Sequence, residues 1–164
     1  MAASTVLTIE ETIKTYLLSD LPGDPHFLLL ERAVGDIPVH CGKPRPELVS
    51  PEIILIECPE LEDSGNPQTM PSTITRGSVE IIGIVRATDK DRQAERARYL
   101  GTAIWTVLRS YKFLTDVVTG YEIYGFPRRL RIEEVDVSEV IADVGDLLFR
   151  GCEVTYEFDI PHNV

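Results

Sequence analysis

Between Cys152 and Ile160 the chain alternates without a fault. Cys152, Val154, Tyr156, Phe158 and Ile160 are apolar, and Glu153, Thr155, Glu157 and Asp159 stand between them. A period of two is the signature of a strand with one face in a core and the other in water. A one-residue slip would invert the two faces, so the register of this strand is tightly specified.

Two stretches carry the helical period instead. Over residues 5–21, Ile9, Ile13, Tyr16 and Leu17 fall on one stripe, and Thr8 followed by Glu11 fits a capping box. Over Asp89 to Tyr111, Ala94, Ala97, Leu100, Ala103 or Ile104, Val107, Leu108 and Tyr111 form a second stripe. Asp89 is placed to cap this helix, and Asp91 lies in its first turn. Small residues there, Ala94, Ala97, Gly101 and Ala103, allow close approach to a sheet.

The remaining apolar runs read as strands. His26 to Glu31 holds Phe27-Leu28-Leu29-Leu30, and residues 52–58 hold Ile53-Ile54-Leu55-Ile56. In Ser78 to Thr88, Val79, Ile81, Gly83 and Val85 share one face, with Ile82 and Ile84 on the other. Residues 132–140 alternate as well, and residues 116–126 hold further apolar residues hinged by Gly120 and Gly125, so two or three strands follow the second helix. Proline and glycine break the pattern near 33–51, 59–77 and 113–130, which are expected to be long loops. The chain therefore reads as a single α+β domain over residues 1–164. It has a mostly antiparallel sheet and two main helices packed on one face. Its core is expected from Ile9, Ile13, Leu17, Leu100, Ile104 and Leu108, with Ile54, Ile81, Val85, Val154, Tyr156 and Phe158 from the strands.

At 164 residues, 43% apolar and 26% charged, the chain is long enough to build a core without disulfides or metals. No apolar run approaches the ~20 residues that span a bilayer. The start, Met-Ala-Ala-Ser-Thr, lacks the basic and apolar regions of a secretory signal. Cys41, Cys58 and Cys152 are an odd number with no close pair, which fits a reducing compartment rather than a disulfide framework.

Net charge is −11, and it is uneven. Residues 1–75 carry four bases and twelve acids, residues 132–164 one base and nine acids, and residues 89–131 nine bases and five acids. Non-specific nucleic-acid binding rests on neutralised phosphates, so this balance argues against a DNA-reading protein. Acidic flanks around a basic middle suit docking onto copies of the same chain.

No phosphate loop, dinucleotide fingerprint, nucleophile elbow or HExxH motif is present. His40 adjoins Cys41, but no partner pair at ligand spacing follows. Glu10-Glu11 and Glu133-Glu134 read as solvated acid pairs. No catalytic residue, metal site or cofactor is expected.

The chain resembles the tail terminator, or tail completion, proteins of tailed bacteriophages. Three stretches carry the resemblance: the amphipathic helix Ile9 to Leu18, the strand Ser78 to Thr88 running into the Ala- and Arg-rich helix Asp89 to Tyr111, and the closing alternating strand Gly151 to Ile160. The resemblance implies a structural virion protein forming a hexameric ring at the head-proximal end of the tail tube. Its implied partners are other copies of itself, the tail tube protein, and a neck or head-completion protein. It also implies that DNA crosses the lumen without specific binding, and that the protein is located in the virion tail or neck and, during assembly, in the host cytoplasm. The alternatives are another neck or baseplate component, or a small soluble enzyme or ligand-binding domain.

On this reading Arg92, Arg96 and Arg98, with Arg128, Arg129 and Arg131, are candidates for a basic patch meeting acidic surface on a neighbour. Arg suits that task because its planar fork pairs carboxylates bidentately. Tyr121, Tyr124 and Phe126 are aromatic candidates for the same interface, or else complete the core. Glu133, Asp136 and Glu139 are candidates for an acidic lumen.

Overall fold

The alternating segment is the middle of a fifteen-residue strand, and that strand lies inside a six-stranded sheet. The computed structural model describes residues 2–42, 52–64, 72–86, 90–134 and 149–163. In chain order these form α1 (Ala2–Asp20), α2 (Pro25–Leu28), β1 (Val39–Cys41), β2 (Glu52–Ser64), β3 (Ser72–Arg86), α3 (Lys90–Arg109), β4 (Leu114–Thr115), β5 (Glu122–Glu134) and β6 (Phe149–Asn163). The strands run in the order β1-β2-β3-β6-β5-β4. Every pairing is antiparallel except β1 with β2. The expected α+β class, with a mostly antiparallel sheet, is what the chain adopts.

The helices share one face of the sheet. Ile9, Ile13 and Leu17 of α1 and Ala97, Leu100, Ala103, Ile104 and Leu108 of α3 are fully buried in one cluster. They meet Ile54, Ile56, Val79, Ile81, Val85, Cys152, Val154, Tyr156 and Phe158, one parity of the strands. The predicted core is therefore the observed one. Close approach of α3 is real and rests on glycines. A Cβ on Gly101 would stand 2.7 Å from both Cys152 Cβ and Leu130 Cδ1, and one on Gly83 would stand 2.7 Å from Cys152 Sγ and from Leu100 Cδ2.

Several expectations are corrected. The run Phe27-Leu28-Leu29-Leu30 is no strand. Asp24 accepts hydrogen bonds from the backbone N–H groups of His26 and Phe27, and Pro25 sits at the first helical position, so a short helix starts instead. Phe27 and Leu30 are buried while Leu28 and Leu29 are exposed, a spacing of three rather than two. Helix α1 begins well before Thr8, which is buried mid-helix, so no capping box forms there.

Residues 59–64 and 72–77 of the predicted break at 59–77 are strand, and residues 65–71 lie outside the described residues. Leu61 pairs with Gly77, Glu62 with Arg76 and Ser64 with Ile74, extending the β2–β3 hairpin. Pro59 misled because it sits at a register shift between Glu57 and Glu60, where a missing N–H is tolerated. Pro127 plays the same part in β5, whose register shifts between Pro127 and Arg129 while the strand takes up residues 122–130 of the predicted 113–130 loop; residues 116–121 remain a turn. Within 33–51 the structure places β1, and residues 43–51 lie outside the described residues.

Candidate interaction surface

Four strands leave one face of the sheet away from the helices, and the register fixes what stands on it. Across the sheet at one level, Glu62, Arg76, Asp159 and Tyr124 are successive partners. Phe126 stands opposite Glu157, Arg129 opposite Thr155, and Arg131 opposite Glu153. The acidic side of the alternating strand is thus flanked by arginines. Arg76 Nε lies 3.3 Å from Asp159 Oδ1, and the Arg128 guanidinium pairs with the Glu157 carboxylate. Both pairs are substantially exposed, so each contributes under ~1 kcal/mol. Arg76, Tyr124, Phe126, Glu157 and Asp159 line a groove of about 280 Å³ beside them.

The aromatic candidates are outside the core. Tyr121, Tyr124 and Phe126 are 51%, 39% and 57% exposed, and Val118 is 77% exposed, so they form an apolar surface rather than a completed interior. Phe113 packs on Tyr124 with ring centroids 5.7 Å apart, and the Tyr124 hydroxyl donates to Glu122. The turn that carries Val118 and Tyr121, just ahead of Tyr124 and Phe126 on β5, is held by hydrogen bonds. The Asp116 carboxylate, buried, accepts from the N–H groups of Val118 and Thr119 at 3.0 and 2.8 Å. Gly120 N–H donates to Asp116 O, and Asp116 N–H to Tyr121 O. Helix α1 anchors the turn from below: Val117 N–H donates to Thr12 Oγ1 and Thr115 N–H to Tyr16 Oη. Tyr16 stacks edge-on against Tyr111, whose hydroxyl donates to Asp20.

The six arginines divide. Arg92 and Arg98 are exposed on α3, and Arg128, Arg129 and Arg131 are exposed on β5. Arg96 differs from its expected role. Its side chain is only 17% exposed, and its guanidinium binds the fully buried Glu52 carboxylate, with Nε 2.9 Å from Oε1. Arg32 reaches the other oxygen of Glu52 at 3.4 Å. Glu52 leads β2 on the helix-facing side, level with Val85, and charge there demands a cationic partner. No sequence signal joined residues 44 positions apart. Of the lumen candidates, Glu133 lies in β5 opposite Gly151, and Asp136 and Glu139 fall outside the described residues.

One further acid was misread. Glu11 is exposed as expected, but Glu10 is buried, with Oε1 accepting from Cys58 N–H at 2.8 Å. Burial pushes its pKa up; the Cys58 N–H opposes this, the neighbouring charges of Glu57 and Glu11 add to it, and His40 opposes it. Room for the carboxyl comes from Gly42, whose φ of +74° closes β1 and whose Cβ would stand 3.3 Å from Glu10 Oε2. Burial likewise pushes the Cys152 thiol up to about 12. Among the described residues no group of three or more His, Cys, Asp and Glu is arranged to hold a metal ion. No helix among them is long and apolar enough to cross a membrane.

No family model and no curated protein matches the chain. Among solved structures it is similar to a chain of a structure titled "Virion of native gene transfer agent (GTA) particle". The TM-score is 0.63 at 12% identity, over 98% of each chain. At that identity the likeness is one of fold, and it runs the whole length of both chains.

Proposed function

We propose that this protein is a structural component of a phage-like virion, and within it a tail terminator. In this reading it forms a ring that caps the head-proximal end of the tail tube and joins it to the neck. The observation that carries the reading is the end-to-end fold likeness to a component of a gene transfer agent particle. Two features support it. The protein presents a built aromatic turn, with Val118, Tyr121 and Phe126 all about half exposed or more, on a surface that an isolated monomer has no use for. Its exposed arginines also cluster on α3 and β5, which suits charge-registered contacts between identical subunits.

Light scattering on the purified protein tests the reading, alone and with tail tubes. Subunits of 18.4 kDa give a hexamer of about 110 kDa if the ring closes six-fold. Tubes mixed with the protein are expected to stop growing and to carry extra density at one end in electron micrographs. Continued tube growth with bare ends would reject the terminator role.

A further inference from the structure

Among the described residues the two outer edges of the sheet are unpaired over part of their length, one holding an arginine cluster and the other a run of acids. On the β5 side, β4 covers only Glu122 and Ile123, so from Tyr124 to Glu134 no strand among the described residues pairs with the edge away from β6. That edge carries Arg128, Arg129 and Arg131, all exposed, ahead of Glu133 and Glu134 at its end. On the other side, β1 covers β2 only at Ile54–Ile56, and the Glu10 carboxyl takes the N–H of Cys58 just beyond. From there to Ser64 no strand among the described residues pairs with the edge away from β3, and the sequence reads Pro-Glu-Leu-Glu-Asp-Ser. Charges and prolines on edge strands also serve to repel stray pairing. Edges of like sign would do so here; edges of opposite sign attract.

We infer that β5 of one copy pairs antiparallel with the open edge of β2 in the next, joining the sheets of neighbouring subunits with Arg129 facing Glu62. Three observations fit together. The strand directions alternate from β2 through β3 and β6 to β5, so a copy added in the same orientation brings its β2 antiparallel to β5. Glu62, level with Arg76 and Asp159, stands on the same open face as Arg129, level with Thr155, so opposed residues meet on one side. The register that sets Arg129 against Glu62 also sets Arg131 against position 60, another glutamate, because both pairs are spaced by two. The contact uses two different edges, so it is heterologous and propagates into a ring or a filament rather than stopping at a dimer. Backbone hydrogen bonds supply affinity and the arginine–glutamate pairs supply register. The inference rests on the self-assembly half of the proposed function.

Paired cysteines test it in the full chain with Cys41→Ser, since Cys58 and Cys152 are buried. Directly opposed antiparallel positions have Cβ atoms ~4.5–5.5 Å apart, close to disulfide reach. Arg129→Cys with Glu62→Cys is expected to give, on oxidation, a ladder running beyond the dimer, and neither single variant cross-links. A dimer from Arg129→Cys alone would show a symmetric β5–β5 contact and overturn the inference, as would no ladder from the pair. Charge exchange is the second arm. Arg129→Glu and Glu62→Arg, each checked for an unchanged melting curve, are expected to raise the assembly concentration at least tenfold, and the combined variant to restore it. Loss without restoration overturns the register. Rings that cap tubes without a ladder leave the terminator reading standing and remove this contact. A ladder with uncapped tubes does the reverse, and a chain monomeric both alone and with tubes removes both.

Discussion

At the scale of single residues, the two buried acids behave differently because their surroundings differ. Glu52 has lost all contact with water, and the Arg96 guanidinium is its closest counter-charge. Removing one partner of such a pair costs about 3–5 kcal/mol where the buried charge is left uncompensated, and Arg32 remains beside the other oxygen of Glu52. Arg96→Ala is therefore expected to lower the unfolding free energy by up to that amount, with little sensitivity to salt. An exposed arginine, Arg92→Ala, is expected to stay within about 0.5 kcal/mol in the same urea titration. Glu10 instead answers to pH. Its folded pKa lies above the ordinary carboxylate value of 4.5, so the folded chain holds that proton more tightly than the unfolded chain. Stability owed to Glu10 is greatest near and below pH 4.5 and falls as pH rises through the raised folded value. Glu10→Gln removes this term. The stability difference between variant and wild type is expected to shift in the variant's favour from pH 4.5 to 7, and a difference flat in pH would contradict the assignment. Neither role was legible in the sequence. Glu10 stands beside Glu11 as one of an ordinary acid pair, and only the register of α1 on the β1–β2 edge separates the buried one from the solvated one.

Among the elements, those that packing alone decides were readable in advance, and those decided by local chemistry were not. The stripes of α1 and α3 and the alternation of β6 state their buried faces directly, because periods of 3.6 and 2 are properties of the chain. The short helix α2 was hidden by an apolar run too brief to show its period, and only the Asp24 cap and Pro25 decide it. β2 and β5 were cut short on paper because each holds a proline, and the register shifts that absorb those prolines are tertiary facts. The seat of α3 makes a sharp prediction. Gly101→Ala raises intrinsic helix propensity by ~1 kcal/mol. Yet the new methyl meets Cys152 Cβ, which is fixed to the β6 backbone and has no way to yield, besides the more flexible Leu130 Cδ1. Overpacking of this kind costs ~1–3 kcal/mol, so the net effect is a loss of stability, read as a lower melting temperature. Truncation on the same interface, Leu100→Ala, is expected to cost ~2–5 kcal/mol through the cavity it leaves. The aromatic turn shows the limit of sequence reading for the site. Tyr121, Tyr124 and Phe126 could be read as either surface or core and are exposed, while Asp116, Thr12 and Tyr16, which hold the turn in shape, carry no local signature.

For the whole molecule, the net charge of −11 sets how it meets DNA. Affinity for a duplex grows with each phosphate neutralised, and a chain with this balance has few cations to spare. The purified protein is expected to leave duplex DNA unshifted in a gel at low salt, and a tight, salt-dependent shift would contradict a conduit that lets DNA pass. The order of the sheet carries a separate consequence, in the time domain. β6 is the last strand in chain order among those described, yet it fills the centre of the sheet between β3 and β5. While a ribosome is still making the chain, β3 and β5 have no common neighbour, and the inner faces of two unjoined half-sheets stand open. Only when β6 inserts do those edges close and the outer ones acquire fixed positions. A polypeptide halted before Phe149 would expose the wrong edges for assembly. Placing β6 in the middle makes its own synthesis a precondition for a closed sheet.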